Sequence, residues 1–271
     1  MKKSLLLLIS VGFSLNIFAQ DKKMAEECFK KADYKCAEEQ YLKLADKEQI
    51  RKIQSEYYNY LGTAQRRLGK TDLAFKSYDN ALKTDPMSVS VYENLASLYS
   101  QKGDKARALN YIEKGLKIND KKPELYLTRS KIYESQDKKD LAKQDLNQIL
   151  SFEPDNLFAK TGLANLKKNY GELEDALKDY NKLIAEKPES LLYNGRADVY
   201  LKMRKNKEAL ADVNKALAID PKFAQSYVTK ALILFNTEKP KEACENLERA
   251  VKYGYEKAVL ADYYAKCEKN K

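Results

Sequence analysis

Four cysteines carry the most clearly defined chemistry in this sequence. Cys28 and Cys36 lie near one end of the chain, and Cys244 and Cys267 lie near the other. In an oxidising compartment four thiols can form two disulfides, in any of three connectivities. Neither close pair has the C-x-x-C spacing of redox-active or zinc-binding cysteines. Thiol catalysis and zinc binding are therefore not expected.

Other residue types that support catalysis are missing or arranged for another purpose. The sequence contains no histidine, the commonest general base and metal ligand. It also has no glycine run that could cradle a phosphate, and no G-x-S-x-G or H-E-x-x-H motif. Many carboxylates lie four residues from a lysine, as Glu186 does from Lys182, which is the spacing of solvated ion pairs on a helix. The sequence predicts a protein that is not an enzyme and uses no cofactor or metal.

The net charge is positive but dispersed. The chain carries 50 basic and 40 acidic residues, a formal net charge of +10. The lysines are scattered along the sequence, without the arginine-rich stripe or stacking platform that nucleic-acid binding needs. A solvated surface is the favoured interpretation, and no nucleic-acid partner is expected. The alternative is that the lysines associate with an anionic surface.

The elements that position these residues follow a repeat. Alanines recur at steps of 34, 34, 34, 33 and 34 residues, at Ala74, Ala108, Ala142, Ala176, Ala209 and Ala243. Prolines keep the same phase, at Pro86, Pro154, Pro188 and Pro221. One complete unit runs from Ser55 to Pro86, with leucine, small or aromatic residues at Tyr58, Leu61, Gly62, Gly69, Ala74, Tyr78 and Ala81.

This spacing resembles the tetratricopeptide repeat family. The resemblance implies an all-α fold, a right-handed α-solenoid of about seven helix pairs followed by a capping helix. Small residues are expected where neighbouring helices approach closely, and tyrosines where helices pack. The first unit is expected to be atypical, as terminal repeats are. The implied boundaries are 21–54, 55–88, 89–122, 123–156, 157–189, 190–223 and 224–255 for the repeats, and 256–271 for a single capping helix with its tail.

Residues 1–20 resemble a secretory signal peptide. Met1, Lys2 and Lys3 precede a short apolar run that ends at Phe18, Ala19 and Gln20. The run is too short and too interrupted to predict a membrane span. We expect cleavage after Ala19 or Gln20 and export to the periplasm or the extracellular space. The mature chain is expected to have no transmembrane segment and a net charge of +8.

The solenoid resemblance constrains the cysteines and some charged residues. Because the ends of a solenoid lie far apart, only Cys28 with Cys36 and Cys244 with Cys267 can pair; four free buried thiols are the alternative. Two such disulfides would staple the terminal repeats. Charges also occur at positions 7 and 23 of the later repeats. These predict pairs of Arg129 with Asp145, and of Arg196 with either Asp212 or Asp179.

The resemblance also predicts where a partner would bind. In this family, positions 2, 5, 9 and 12 of the first helices form the concave face. Asparagines there can bind a peptide backbone, and apolar groups can bind its side chains. The alternative for Leu232 and Phe235 is packing under the terminal helix. The candidate groove residues are Asn59, Lys131, Phe158, Asn165, Leu191, Asn194, Leu201, Val228, Leu232 and Phe235.

The family's carboxylate clamp for acidic peptide ends is not matched. It would need lysine at position 5 and asparagine at position 9 of one repeat, whereas Asn165 follows Thr161 at those positions. The sequence therefore predicts an exported scaffold or adaptor that binds a peptide segment or partner helix of another protein in its concave groove. The alternative is a cell-envelope module that associates with an anionic glycan or lipid surface.

Overall fold

Every element in residues 20–268, which are the residues that this computed structural model describes, is a helix. The predicted signal peptide lies outside them, apart from Gln20, and so do the last three residues. The helices are α1 (20–30), α2 (Tyr34–Lys47), α3 (Arg51–Arg67), α4 (Thr71–Thr84), α5 (Val89–Gln101), α6 (Lys105–Ile118), α7 (Pro123–Glu134), α8 (Lys139–Phe152), α9 (Leu157–Asn169), α10 (Leu173–Glu186), α11 (Ser190–Lys202), α12 (Asn206–Ile219), α13 (Ala224–Asn236), α14 (Pro240–Lys252), a 3₁₀ helix (Lys257–Leu260) and α15 (Ala261–Glu268).

The short turn between the two helices of a repeat uses a left-handed residue. Gly69 has φ 75°, and the N–H of the next residue, Lys70, donates to the carbonyl oxygen of Gln65 at 2.9 Å. Arg204 takes the equivalent place after α11 with φ 60°, and Lys205 donates to Tyr200 at 2.9 Å. The same hydrogen bond at the C-terminal end of the first helix therefore forms with either glycine or arginine at the turn. Glycine adopts the left-handed conformation freely, whereas arginine adopts it at a higher free-energy cost.

The chain divides into two compact units, with the boundary between Gln136 and Asp137, in the turn between α7 and α8. Each unit has its own buried side chains, contributed by both helices of its repeats. The largest are Tyr78, Leu44, Leu61, Leu95, Ile112, Leu125 and Ile132 in the first unit, and Ile149, Tyr180, Leu192, Ile233 and Leu247 in the second.

Small residues are required where an aromatic ring crosses a neighbouring helix. A Cβ atom on Gly195 of α11 would lie 2.4 Å from the Tyr180 ring of α10, and one on Gly62 of α3 would lie 2.7 Å from the Tyr78 ring of α4. Both rings are fully buried. These glycines therefore let the tyrosines fill the space between helices, as close packing demands.

Both ends of the described chain carry a disulfide. Cys28 of α1 is bonded to Cys36 of α2, and Cys244 of α14 to Cys267 of α15, with Cα atoms 5.7 and 5.8 Å apart. Residues 257–268 differ from the single capping helix that the pattern predicts, because a 3₁₀ helix precedes α15. That tighter turn inserts Leu260, which is 1% exposed, into the core formed with α13 and α14.

Candidate functional site

The first helices of three consecutive repeats, α9, α11 and α13, lie side by side in the second unit. Polar side chains link them. Lys168 of α9 lies 3.7 Å from the carboxylate of Asp198 on α11, and Thr229 of α13 donates to that carboxylate at 3.0 Å. One turn earlier on α13, Ser226 donates to the amide oxygen of Asn194 at 3.0 Å. These contacts hold the three helices together. We call the side formed by positions 2, 5, 9 and 12 of α9, α11 and α13 the first-helix face.

Four of the predicted apolar groove residues remain accessible on this face. Phe158 of α9 is 64% exposed, and Leu191, Leu201 and Leu232 are half-buried. A bulky aromatic ring left open to water on a helix that is otherwise well packed is a candidate contact for a partner. Together these four side chains supply the apolar part of the site.

Two predicted apolar groove residues are occupied within the protein. Val228 is 5% exposed and belongs to the core of α13 and α14, so its side chain is not offered to a ligand. Phe235 is half-buried and stacks on Tyr263 of α15, with ring centroids 6.1 Å apart. The capping helix thus covers Phe235, which was the alternative considered for it. The other residue with that alternative, Leu232, is not among the side chains packed in that cluster.

Asn165 and Asn194 have the same arrangement of hydrogen bonds. The amide oxygen of Asn165 accepts from the Tyr180 hydroxyl at 2.9 Å, as that of Asn194 accepts from Ser226. Burial raises the pKa of Tyr180, so its hydroxyl keeps the proton that it donates. Neither amide nitrogen donates to another residue in the described part of the chain. The Tyr180 hydroxyl therefore orients the half-buried amide of Asn165, whose N–H₂ group is left for a ligand. The Asn194 side chain is only 3% exposed, so its amide is not offered to a ligand.

Asp198 is a further polar group of this face. Burial raises its pKa above the ordinary carboxyl value, against the opposing effects of the Lys168 ammonium, the Thr229 hydroxyl and Lys202. Asp198 is not among the residues predicted from the sequence. Asp198 lies at position 9 of the sixth repeat, counted from Ser190, as Asn165 lies at position 9 of the fifth, counted from Leu157. The spacing that selected Asn165 therefore also selects Asp198.

The two candidate residues of the first unit lie in a different setting. Asn59 of α3 accepts from Asn94 of α5 at 2.9 Å and donates to Ser90 at 3.4 Å. Lys131 of α7 is exposed. The first helices of this unit thus present polar groups, and several of these groups bind one another. Among the described residues, no apolar row like that of the second unit accompanies Asn59 or Lys131.

The family model described as "Tetratricopeptide repeat" matches residues 89–122, 123–156, 191–223 and 224–253. A crystal structure of a tetratricopeptide repeat protein from Parabacteroides merdae is 30% identical in sequence with a TM-score of 0.73, and the match covers 91% of this chain and 96% of that one. The chain belongs to the tetratricopeptide repeat family. Its helix pairs and this likeness confirm the predicted all-α solenoid class of fold.

Two curated relatives are similar over most of this chain. The "Heat shock protein sti1 homolog" of Schizosaccharomyces pombe is 27% identical over 80% of it, and the "Hsp70-Hsp90 organizing protein" of Triticum aestivum is 24% identical over 92%. The chain spans only 36% and 43% of the length of these relatives. Each relative therefore has further sequence beyond the part that is similar to this chain.

Within its tetratricopeptide repeats, the predicted pairing of Arg196 with Asp212 is confirmed. Arg196 Nε lies 2.7 Å from one carboxylate oxygen of Asp212, and Nη2 donates to the other at 2.8 Å. Asp179, the other partner considered, instead pairs with Lys167 at 2.7 Å. The bidentate pair locks α11 to α12 behind the first-helix face, so it positions that face and is not part of it.

Residues 20–268 contain neither a candidate metal centre nor a candidate membrane-spanning helix. No three histidine, cysteine, aspartate or glutamate side chains in this part of the chain lie close enough to hold a metal ion. None of its helices is both long enough and apolar enough to cross a bilayer.

Proposed function

We propose that this chain is a scaffold without enzymatic activity, which binds an extended peptide segment or a partner helix on its first-helix face. The observation that carries the proposal is the row of accessible apolar side chains on the face that also holds the oriented amide of Asn165. Phe158, Leu191 and Leu201 can bury a partner's apolar side chains, while the N–H₂ group of Asn165 can donate to a backbone carbonyl oxygen.

Membership of the tetratricopeptide repeat family supports protein binding in general. The name of the wheat relative refers to the organisation of two other proteins, Hsp70 and Hsp90. We do not extend those partners to this chain, since the carboxylate clamp is not matched at Thr161 and Asn165. The proposed partner is instead a segment with apolar side chains and free backbone carbonyl groups.

We also propose that the chain works outside the reducing cytosol. The two disulfides at its ends support this, since such bonds persist in oxidising compartments. Alkylation of thiols in freshly lysed source cells, before and after reduction, measures how many cysteines are paired. Four alkylated thiols without reductant would contradict export.

The peptide-binding proposal is tested with selected peptides. Peptides that bind the immobilised chain are isolated from a random library, and the affinity of the strongest is measured by fluorescence anisotropy. The combined Phe158→Ala and Leu191→Ala substitutions should weaken it about tenfold or more, since truncating central apolar contacts costs more than about 1 kcal/mol each. Ile219→Ala is the matched control, because Ile219 is an apolar residue of α12 that is 49% exposed.

Salt distinguishes the alternative of lysine-mediated surface association. Contacts with the apolar row should persist at high ionic strength, whereas binding through dispersed lysines weakens steeply. Peptides whose affinity is unchanged in the double variant and disappears with salt would contradict the groove and favour association with an anionic surface.

A further inference from the structure

The fifth repeat lacks a packing arrangement that its neighbouring repeats share. Counted from the first residue of the repeat, positions 4 and 11 are both tyrosine in the third, fourth and sixth repeats. In the sixth, these rings flank the Arg196 guanidinium at 5.6 and 5.9 Å, from Tyr193 and Tyr200 respectively. In the fourth, Arg129 lies 5.3 and 5.9 Å from the corresponding rings. In these two repeats, two aromatic rings and a cation thus pack together along the first helix.

The fifth repeat has lysine in both aromatic positions. Lys160 and Lys167 replace the tyrosines, and Leu163 stands where Arg196 stands in the next repeat. Leucine at this position is fully covered elsewhere: Leu61 is 2% exposed and Leu95 is 0% exposed. Leu163, between Lys160 and Lys167, is only half-buried.

The missing rings leave a cavity of about 380 Å³. Its floor is apolar, formed by Leu163 and Leu183, and its rim is mostly basic. The lining residues come from α8, α9 and α10 and are Lys143, Lys160, Leu163, Lys167, Asp179, Lys182, Leu183 and Glu186. A second hollow of about 190 Å³ shares Lys160, Leu183 and Glu186 with it. We call this the lysine cavity.

The charges on the rim are not balanced within the protein. Lys167 is neutralised by Asp179, and Lys160 contacts the fully exposed Asp155 at 3.0 Å. Lys143 and Lys182 are exposed and form no ion pair with any residue between 20 and 268. Glu186 is the remaining acidic residue of the lining. With Asp155 included, four lysines face three carboxylates, so the rim keeps a net charge of +1 above its apolar floor.

We propose that the lysine cavity binds a small amphipathic anion, a carboxylate or phosphate joined to an apolar body. Lysine ammonium groups are compact charges that bind either anion, and the two leucines offer the apolar contact. The volume lies within the range of about 300–1,000 Å³ that is typical of small-molecule sites. This site uses α8 and α10 as well as α9, and it is separate from the first-helix face proposed for peptides.

The test uses three ten-carbon probes that differ only in the head group. Decanoate, decyl phosphate and decanol are titrated into the full chain below their micellar concentrations by isothermal titration calorimetry. One or both anions should bind at one site per chain, and decanol should bind at least about tenfold more weakly. The preferred anion then identifies the source as a free acid or a phosphate head group. Equal binding of decanol, or many anions per chain, would overturn the proposal.

Two variants locate the site. Lys143→Glu combined with Lys182→Glu reverses the free charges on exposed side chains, and should weaken the preferred anion about tenfold or more. Lys207→Glu changes an exposed lysine of α12 in the same unit and should leave the affinity unchanged. Equal affinity in the wild type and the double variant would place the anion elsewhere.

A filling variant tests the cavity itself. Lys160→Tyr, Leu163→Arg and Lys167→Tyr copy the sixth repeat, and Asp179 already occupies the position that Asp212 holds there. The added rings should fill the cavity and abolish anion binding. Retained binding in this variant, if it folds with the helix content of the wild type, would refute the assignment; if it does not fold, the charge-reversal pair alone decides.

Discussion

The Asp212→Ala substitution tests how the first-helix face is held in place. Asp212 is 4% exposed at its side chain and Arg196 is 15% exposed, and the two groups make two hydrogen bonds at 2.7 and 2.8 Å. Removing the carboxylate leaves a largely buried guanidinium without its counter-charge. Loss of one partner of a buried pair costs about 3–5 kcal/mol.

The structure places the expected cost at the lower end of that range. Arg196 keeps a hydrogen bond to Asn181 at 2.7 Å and its contacts with the Tyr193 and Tyr200 rings, so it is not left wholly unsatisfied. We therefore expect a loss of about 3 kcal/mol. At roughly 3 °C per kcal/mol for a chain of this size, the melting temperature should fall by about 10 °C.

The neighbouring repeat supplies a matched control. Asp179 occupies the same repeat position as Asp212 and pairs with Lys167 at 2.7 Å, but these side chains are 36% and 37% exposed. An exposed pair is worth about 0–1 kcal/mol, so Asp179→Ala should change the melting temperature by no more than about 3 °C.

The assay is urea and thermal unfolding followed by circular dichroism, with the disulfides kept oxidised. The third repeat has Leu95 and Tyr111 at the two positions of the pair. Combining Arg196→Leu with Asp212→Tyr should therefore recover most of the lost stability, because a packed apolar pair replaces a buried ionic one. A loss for Asp212→Ala no larger than that for Asp179→Ala would refute the reasoning.

Three further substitutions have expected outcomes. Changing Cys244 and Cys267 together to serine opens a loop with sequence separation 23 and should cost about 3 kcal/mol, seen as an earlier urea midpoint; an unchanged midpoint would contradict the staple. Gly195→Ala should cost about 1–3 kcal/mol in the same assay, because its methyl group would meet the Tyr180 ring. Burial raises the pKa of Asp198, so the carboxyl group holds its proton more tightly in the native state than in the unfolded chain. The contribution of Asp198 to stability therefore falls as the pH rises from the ordinary carboxyl pKa of about 3.9 to the raised native value. Unfolding at several pH values should show that Asp198→Asn removes this decline, and parallel pH profiles for variant and wild type would contradict it.

The fold was predictable because the same pattern of residues recurs in each helix pair. The alanine register from Ala74 to Ala243 gives the period without any single helix having to be recognised. That period limits the partner of Arg196 to Asp212 or Asp179, and the structure shows Asp212. The break before α15 was not predictable, since residues 257–268 occur once and have no other copy to compare. The division at Gln136 likewise leaves no mark on the repeat period.

The candidate site was predictable only in part, because a repeat position does not show what covers a side chain. Val228 and Asn194 occupy groove positions by counting, yet neighbouring helices bury them. Phe235 is covered by α15, whose placement depends on the 3₁₀ turn. The lysine cavity left a signal in the sequence, the loss of both tyrosines at Lys160 and Lys167, but its volume depends on three packed helices.

The most direct test of the central claim is to map where a bound peptide lies. A photo-crosslinking amino acid is placed at Leu191 or Leu232 on the first-helix face, or at Ile219 on α12, and each protein is irradiated with the strongest library-selected peptide. Our account predicts crosslinks from Leu191 and Leu232 and none from Ile219. Crosslinks confined to Ile219 would contradict it.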